Sequence, residues 1–460
     1  YHINYVIIFG MENFRNERCI AEAGDFLNGV DHEANEKLNK EIADLRSEGC
    51  RVKIGEKTDP AYNNPDKIQD IYNYLERGGA ELKDVRKDII HINLAAVALA
   101  SVLEKIPFVR ENKWSNIVDT YLETVRDELL YGEYQTASQP WHNQRGSALT
   151  FLTISEAEDL SVFDENGKIL SEGKYPTMGG PLLDESVFDE KINGLPLTEV
   201  MVQEKINNGV DKATAIEDVE KRISEVREFI QAPVTEKFSN VIRHCADSLG
   251  IRERVETVNG LSIDHLKKVA EKENRSIDDM LVMSFGCGTG LATLKMLKKL
   301  KDETGEAPTV ILLDQDPLSL AAAQSLAKKW NLEDKIEIHC ERLFSKLGKP
   351  LSLEGVLGDR KLDIAEDSGL REYLPDGVYK QLTRESLKFL RSGGLMITGN
   401  MNVNRPQKEF LHGLMGWVPK VRMRSIKEGF KLLQKSGIPK ESIEATVTAS
   451  GVYTVFAIET

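Results

Sequence analysis

The sequence predicts an α/β protein. Its second half reads as a doubly wound, mostly parallel sheet with an antiparallel C-terminal strand, and its first half as mainly helical. Three observations lead there. From about residue 236, short apolar runs alternate with helical stretches, the pattern of βαβ units. The first run ends in a glycine-rich turn, Ser284–Phe285–Gly286–Cys287–Gly288–Thr289–Gly290, with a helix from Leu291. The last two runs, Ile443–Thr448 and Val452–Ile458, are joined by so short a turn at Ser450–Gly451 that they must run antiparallel.

Taken in order, residues 1–235 carry three helical stripes. Leu38, Ile42 and Leu45 form one; Ile117, Tyr121, Leu122, Val125 and Leu129 a second; Ile216, Val219, Ile223, Val226 and Ile230 a third. Steps of three and four place each set on one helix face, where core packing explains it better than a coiled-coil seam. Between them, Trp141 to Pro196 is loop-rich. Leu160–Val162–Phe163, Asp164–Gly167 and Lys168–Leu170 read as a hairpin, and Gly179–Gly180–Pro181 as a further turn. The strands of the second half are read at Met280–Phe285, Thr309–Leu313, Ile336–His339, Leu362–Ala365 and Leu395–Thr398. Residues 236–460 are accordingly expected to form one domain, and 1–235 a helical domain that covers substrate or binds a partner.

Composition narrows the class. The chain has 460 residues, 41% hydrophobic and 29% charged, ordinary for a globular protein. No apolar run approaches a membrane span; the best, Ile89 to Leu103, is broken by His91 and Asn93. A net charge of −14 argues against nucleic acid as partner. The five cysteines (Cys19, Cys50, Cys245, Cys287, Cys340) include no CxxC pair. That fits a reducing cytoplasm and suggests no zinc site or redox dithiol. The start lacks a basic segment followed by an apolar stretch, so no signal peptide is expected. The eight histidines form no HxxxH or HExxH arrangement, so no metal site is expected. His339, His412 and Trp141–His142 are read as packing residues, and Lys298–Lys299–Lys301 as a solvated helix end.

Chemistry concentrates at two strand tips. Glycines at a strand-to-helix turn allow a tight bend and close backbone approach to a ligand, and the helix N-terminus adds N–H groups for an anionic moiety. The second strand ends Leu313–Asp314–Gln315–Asp316–Pro317. An acidic residue there can accept from both ribose hydroxyls of a nucleoside. Asp314 directly follows the apolar run and is preferred over Asp316; its competing role is to cap the helix starting near Leu318. The spacing is GxGxG, with Leu291 where a dinucleotide fingerprint wants Gly or Ala.

The FGCGTG turn, the LLDQDP tip, Asp363–Ile364 and Leu390–Arg391–Ser392–Gly393–Gly394–Leu395 resemble the ordered motifs of class I S-adenosylmethionine-dependent methyltransferases, over about residues 236–460. LLDQDP, DSGLREYLPD and Asn400…Asn404…Trp417 resemble, more narrowly, the bacterial group that includes enzymes forming 3-hydroxypalmitic acid methyl ester. Gly399–Asn400–Met401–Asn402 stands where that group has a His-Pro segment, and residues 1–235 match no known family by inspection. The resemblance implies a Rossmann-like sheet and S-adenosyl-L-methionine as cofactor. Gly286, Cys287, Gly288 and Gly290 would pack against its methionine portion. Asp314 would take the ribose, Gln315 the adenosine and Glu341 the adenine, while Asp367 and Ser368 would approach the reacting methyl.

The fourth-strand loop, Glu366–Asp367–Ser368–Gly369–Leu370, lacks the Asn/Asp-Pro-Pro-Tyr motif of enzymes that methylate base or glutamine nitrogens. A small-molecule oxygen or carboxylate acceptor is the reading that remains. Tyr373 and Asn400, just past strand ends, are the candidates to orient it. Two alternatives stay open: an NAD-dependent oxidoreductase, and a non-catalytic cofactor-binding scaffold. The helical half is expected to pack over the carboxyl edge of the sheet and form much of the acceptor pocket, since a bare sheet leaves that edge open to water.

Overall fold

The computed structural model describes residues 17–63, 159–163, 168–175, 177, 184–234, 243–344, 352–406 and 421–460. The stripe at Ile117–Leu129, the run Ile89–Leu103, the pair Trp141–His142, the turns at Asp164–Gly167 and Gly179–Pro181, the boundary at 235–236, His412 and Trp417 lie outside the described residues.

Helix α1 (Glu17–Ser47) leads into strand β1 (Arg51–Ile54). After it come two small hairpins. One is β2 (Val162–Phe163) with β3 (Ile169–Ser171), as the sequence predicts; the other is β4 (Lys191–Ile192) with β5 (Leu195–Pro196). Then follow α2 (Leu197–Asn207), α3 (Lys212–Gln231) and the long α4 (Ala246–Glu273). The alternating half contributes β6 (Leu281–Phe285), α5 (Leu291–Thr304), β7 (Thr309–Asp314), α6 (Pro317–Lys329), β8 (Ile336–Cys340), α7 (Glu354–Leu357), β9 (Leu362–Asp367), α8 (Asp376–Phe389), β10 (Leu390–Met401), α9 (Ile426–Gln434), β11 (Ile443–Val447) and β12 (Tyr453–Glu459).

Eight strands form one sheet in the order β1-β11-β12-β10-β9-β6-β7-β8. β12 is antiparallel to both its neighbours and every other pairing is parallel. Side chains alternate between two cores, one on each face. Val310 and Leu312 enter the core with α4, α5 and α6, while Ile311 and Leu313 enter the core with α1, α8 and α9. Burial on both faces is why these strands read as unbroken apolar runs. β10 runs longer than Leu395–Thr398 because Leu390 pairs with Leu362 before the register shifts at Leu395.

Part of the first 235 residues belongs to this sheet. β1 extends it beyond β11, with Val52 buried and Lys53 reaching Glu444 at 2.6 Å. Leu38, Ile42 and Leu45 of α1 are buried in the same core as α9, as their stripe predicts. In α3, Val219, Ile223, Val226 and Ile230 are buried, but Ile216 is 38% exposed: the inward position in that first turn is taken by the fully buried Ala215. Residues 184–208 dock on α6 through Lys328–Glu190 (2.7 Å), Lys329–Asp184 (2.7 Å) and Ser186–Ser325 (3.2 Å).

At the amino edge of the sheet one buried carboxylate ties three elements together. Asp363, opening β9, accepts from Arg275 (2.7 Å), Arg391 (2.6 Å) and the Leu281 N–H (2.8 Å). Its removal leaves two guanidinium groups and a backbone donor short of their acceptor. Asp363→Ala is expected to cost about 3 kcal/mol, read as a lower urea midpoint at unchanged slope; a midpoint within error of the native protein would contradict this role.

Candidate functional site

The tips of β6, β7, β8, β9 and β10 meet at the carboxyl edge, where open α/β sheets bind ligands. The β6–α5 turn is built on three left-handed glycines, Gly286 (φ 58°), Gly288 (φ 55°) and Gly290 (φ 63°). A side chain at Gly286 would also press on Leu370, with Cβ 3.1 Å from its δ carbon. The turn is pinned to the next strand: Gly286 N–H donates to the Leu313 carbonyl at 2.8 Å, and Gly288 N–H to the Asp314 carboxylate at 2.8 Å. The Thr289 hydroxyl is buried there with no hydrogen-bond partner among the described residues.

The two aspartates of the second strand tip divide their work. Asp316 is the N-cap of α6, accepting from the Ser319 hydroxyl at 2.6 Å and from its N–H at 3.3 Å. Asp314 is thereby left free of the capping role. Its carboxylate accepts from Gly288 N–H and, at 2.9 Å, from Asp316 N–H, and a carboxylate has room for further donors. Burial, seconded by the Asp316 charge, pushes the Asp314 carboxyl up to about 6 against the opposing backbone hydrogen bonds. Cys287 sits in the turn with its thiol pushed well up by burial, which leaves it un-ionised and unsuited to nucleophilic work.

Gln315 and Glu341 come together. With Cys340 and Arg342 they line one side of a cleft of about 350 Å³ beside Asp314. The far side comes from the first half of the chain: the β4–β5 hairpin and α2. That hairpin turns on Asn193 and Gly194, both at positive φ, the Asn-Gly pair favoured in two-residue hairpin loops. The dipeptide was the available cue to this wall, and the sequence reading passed over it as loop.

At the fourth-strand tip, Arg371 grips the Asp367 carboxylate four residues earlier with Nε at 2.8 and 2.7 Å, and both side chains are buried. The pair fixes the loop. Glu366, one residue before Asp367, accepts from the Ser284 hydroxyl (2.6 Å) and from Ser368 N–H (2.7 Å). Ser368 itself is buried, and its carbonyl explains Gly399: a Cβ at 399 would lie 2.1 Å from the Ser368 oxygen.

Tyr373 is half-buried against the apolar core and Asn400 is fully buried. The Asn400 amide nitrogen donates to the Met401 and Arg424 carbonyls at 3.0 and 2.9 Å, while its oxygen has no partner among the described residues. Beside them lies a buried polar group the sequence reading missed. Arg254 of α4 approaches Glu372 at 3.4 Å, stacks on the Tyr453 ring at 4.4 Å and reaches the Ser368 carbonyl at 3.5 Å. Burial raises the Glu372 carboxyl to about 7 although Arg254 opposes it. From the first half, Tyr62 donates to Glu253 at 2.5 Å and Asp59 accepts from Arg252 at 2.7 Å, so residues 59–62 also close on the start of α4.

Among the described residues, no cluster of His, Cys, Asp or Glu has the makings of a metal site, and no helix is long and apolar enough to cross a membrane.

No family model matches the chain, and no curated protein does. Among solved structures, a possible exported protein from Bordetella parapertussis is similar at 14% identity, covering 57% of this chain and 94% of that one, with a TM-score of 0.37. A putative O-methyltransferase from Nostoc punctiforme is similar at 12% identity over 45% of this chain and 60% of its own, TM-score 0.32. A magnesium protoporphyrin IX methyltransferase from Synechocystis, solved with bound S-adenosylhomocysteine, is similar at 13% identity over 46% and 85%, TM-score 0.32.

The Ser284–Glu366 contact predicts a measurable cost. Ser284→Ala leaves a buried carboxylate oxygen without its donor and is expected to destabilise the fold by about 1–3 kcal/mol. Thermal unfolding of the variant checks it; an unchanged midpoint would mean that solvent replaces the hydroxyl.

Proposed function

We propose that this protein is an S-adenosylmethionine-dependent methyltransferase acting on a small-molecule oxygen or carboxylate acceptor. The observation that carries the reading is the joint geometry of the glycine turn and Asp314: a left-handed backbone cradle bonded to a strand-tip carboxylate that keeps acceptor capacity, at the carboxyl edge of a parallel sheet. Such a pair suits a nucleoside whose ribose hydroxyls donate to the carboxylate while its tail lies along the turn. The buried, unpartnered Thr289 hydroxyl in the same turn fits a site that completes its hydrogen bonds with a ligand.

When bound, the cofactor supplies an activated methyl group. The chain's contribution is alignment and exclusion of water. Asp314 holds the ribose, Gln315 and Glu341 border the base, and the Gly286–Gly290 backbone receives the amino-acid tail. Glu366, held by Ser284 and Ser368, places negative charge near that tail. Asn400 and Tyr373 border the acceptor side, where the Asn400 oxygen is an acceptor still to be used. A carboxylate acceptor needs no base, because it is already the nucleophile. For a hydroxyl acceptor, Glu372 is buried and turned to Arg254, which does not equip it to take a substrate proton.

The NAD reading is opposed by two features. Leu291 is buried where the fingerprint wants a small residue for close helix–strand packing. The antiparallel β12 sits between β10 and β11, where a dinucleotide fold continues with a sixth parallel strand. Calorimetry with S-adenosylhomocysteine and with NADH separates the two, and methyl-donor consumption across fractions of small metabolites tests turnover; binding of NADH but not of S-adenosylhomocysteine would overturn the proposal.

Asp314 gives the proposal a pH signature. Its folded-state value of about 6 lies above the ordinary 3.8, so the free fold carries an extra proton between these values and loses stability as pH rises through them. Ribose hydroxyls donate to the ionised form, so affinity for S-adenosylhomocysteine should strengthen from about pH 5 to about pH 7 and then level. Asp314→Ala should lose on the order of 2–4 kcal/mol of binding, and Asp314→Asn should bind weakly with the pH dependence removed. Titrations of the three proteins across this range check both statements; native affinity in Asp314→Ala would sink the ribose assignment.

A further inference from the structure

The cleft beyond Asp314 has one wall from the sheet and one from the first half of the chain, and the second wall carries chemistry that packing does not use. We propose that the segment from Ile192 to Asn208 is the purine-recognition wall of the cofactor site, with Gln203 and Asn207 reading the edge of the base. The inference rests on the S-adenosylmethionine reading and extends it to residues outside the sheet.

Three observations support it. First, the wall is anchored where a nucleoside leaving Asp314 would arrive. Asn208 accepts from Arg342, two residues past the end of β8, at 2.5 Å, and the residues just before the segment, Asp184 and Glu190, pair with Lys329 and Lys328 of α6, the helix that follows Asp314 and Gln315. Second, Leu195 is 46% exposed and lines the cleft, whereas its hairpin partner Ile192 is fully buried. An exposed aliphatic side chain inside a concave site offers a flat apolar surface that a planar heteroaromatic ring would cover. Third, Gln203 and Asn207 lie one turn apart on the exposed face of α2, and both line the cleft. The Gln203 Nε2 donates to the Asn207 Oδ1 at 3.0 Å. That bond uses one donor and one acceptor of the pair, so a carbonyl oxygen and an amide N–H remain to meet an exocyclic amino group and a ring nitrogen. A 6-amino purine presents that donor–acceptor edge, and a 6-oxo purine inverts it.

The consequence is that cofactor affinity and base selectivity depend on residues about eighty positions before the glycine turn. The test compares S-adenosylhomocysteine with S-inosylhomocysteine by calorimetry on the full chain. The native protein is expected to prefer the adenine compound by at least tenfold. Gln203→Ala/Asn207→Ala, altered only at exposed positions, should lose about tenfold in affinity for it and most of the preference. Asp314→Ala should weaken both ligands alike and keep the preference. A second readout needs no variant: adenosine alone should protect Cys340, which lines the cleft, from maleimide labelling mapped by peptide mass. Native affinity and selectivity in the double variant, or adenosine binding without protection of Cys340, would overturn the wall while leaving the methyltransferase reading intact. Failure of the native chain to bind S-adenosylhomocysteine at all would overturn both.

Discussion

The constraint on which the rest of this structure depends is the reversal from β6 into α5. Five residues must end a strand buried on both faces, turn it over, and start a helix packed on the same sheet. The backbone does so through three left-handed positions, which L side chains occupy only at a cost of one to two kcal/mol each, so glycine recurs at every second residue. Crowding adds to the requirement: Leu370 stands over Gly286, and Leu312 with Ala323 over Gly290. The turn is held by β7 through the Leu313 carbonyl and the Asp314 carboxylate. The group best placed to hold a ligand is therefore also a structural acceptor, and burial raises its pKa despite the backbone hydrogen bonds that oppose the rise.

Around that turn the fold immobilises its charges in pairs before it leaves any for chemistry. Asp363 with Arg275 and Arg391 closes the amino edge of the sheet, and Asp367 with Arg371 closes the carboxyl edge. Arg405 with Asp247 and Arg252 with Asp59 tie α4 to the segments that cross it. Arg254 and Glu372 stand 3.4 Å apart, and there burial outweighs the guanidinium and lifts the carboxyl towards neutrality. Buried pairs add little net stability relative to apolar packing, yet breaking one is costly. Their effect here is to fix loop positions at the sheet edge.

The readable parts of the sequence are those where burial imposes a period. The central strands showed as apolar runs because both faces are covered, and the C-terminal hairpin showed because Ser450–Gly451 leaves no room for a crossover. Asp314 was distinguishable from Asp316 by its place directly after the apolar run, and the structure gives the capping role to Asp316. What escaped was local and short. β1 has four residues with one buried among charged neighbours, so it has no period to detect. The β4–β5 hairpin has two residues per strand, and its only mark is Asn193–Gly194. Asp367 was assigned by position in a motif, whereas its environment is set by Arg371 one helical turn on, a residue whose partner cannot be read from spacing alone.

The same contrast explains how the first half of the chain relates to the site. Its long stripes, Leu38–Leu45 and Val219–Ile230, are devoted to packing. Its chemistry-bearing residues fall instead in the short connections: Asp59 and Tyr62 against α4, Asn193 and Leu195 in the hairpin, Gln203 and Asn207 where α2 turns its polar face outward. A parallel sheet places all its strand tips on one edge but supplies little to cover them. Segments that arrive from elsewhere in the chain must do so, and only their loops and polar helix faces reach that edge once their apolar faces are buried. In this protein the described cover stands over the β7 and β8 tips as well as over α4. Among the described residues, the first half thus supplies the hairpin and the α2 face that line the cleft opposite Gln315 and Glu341.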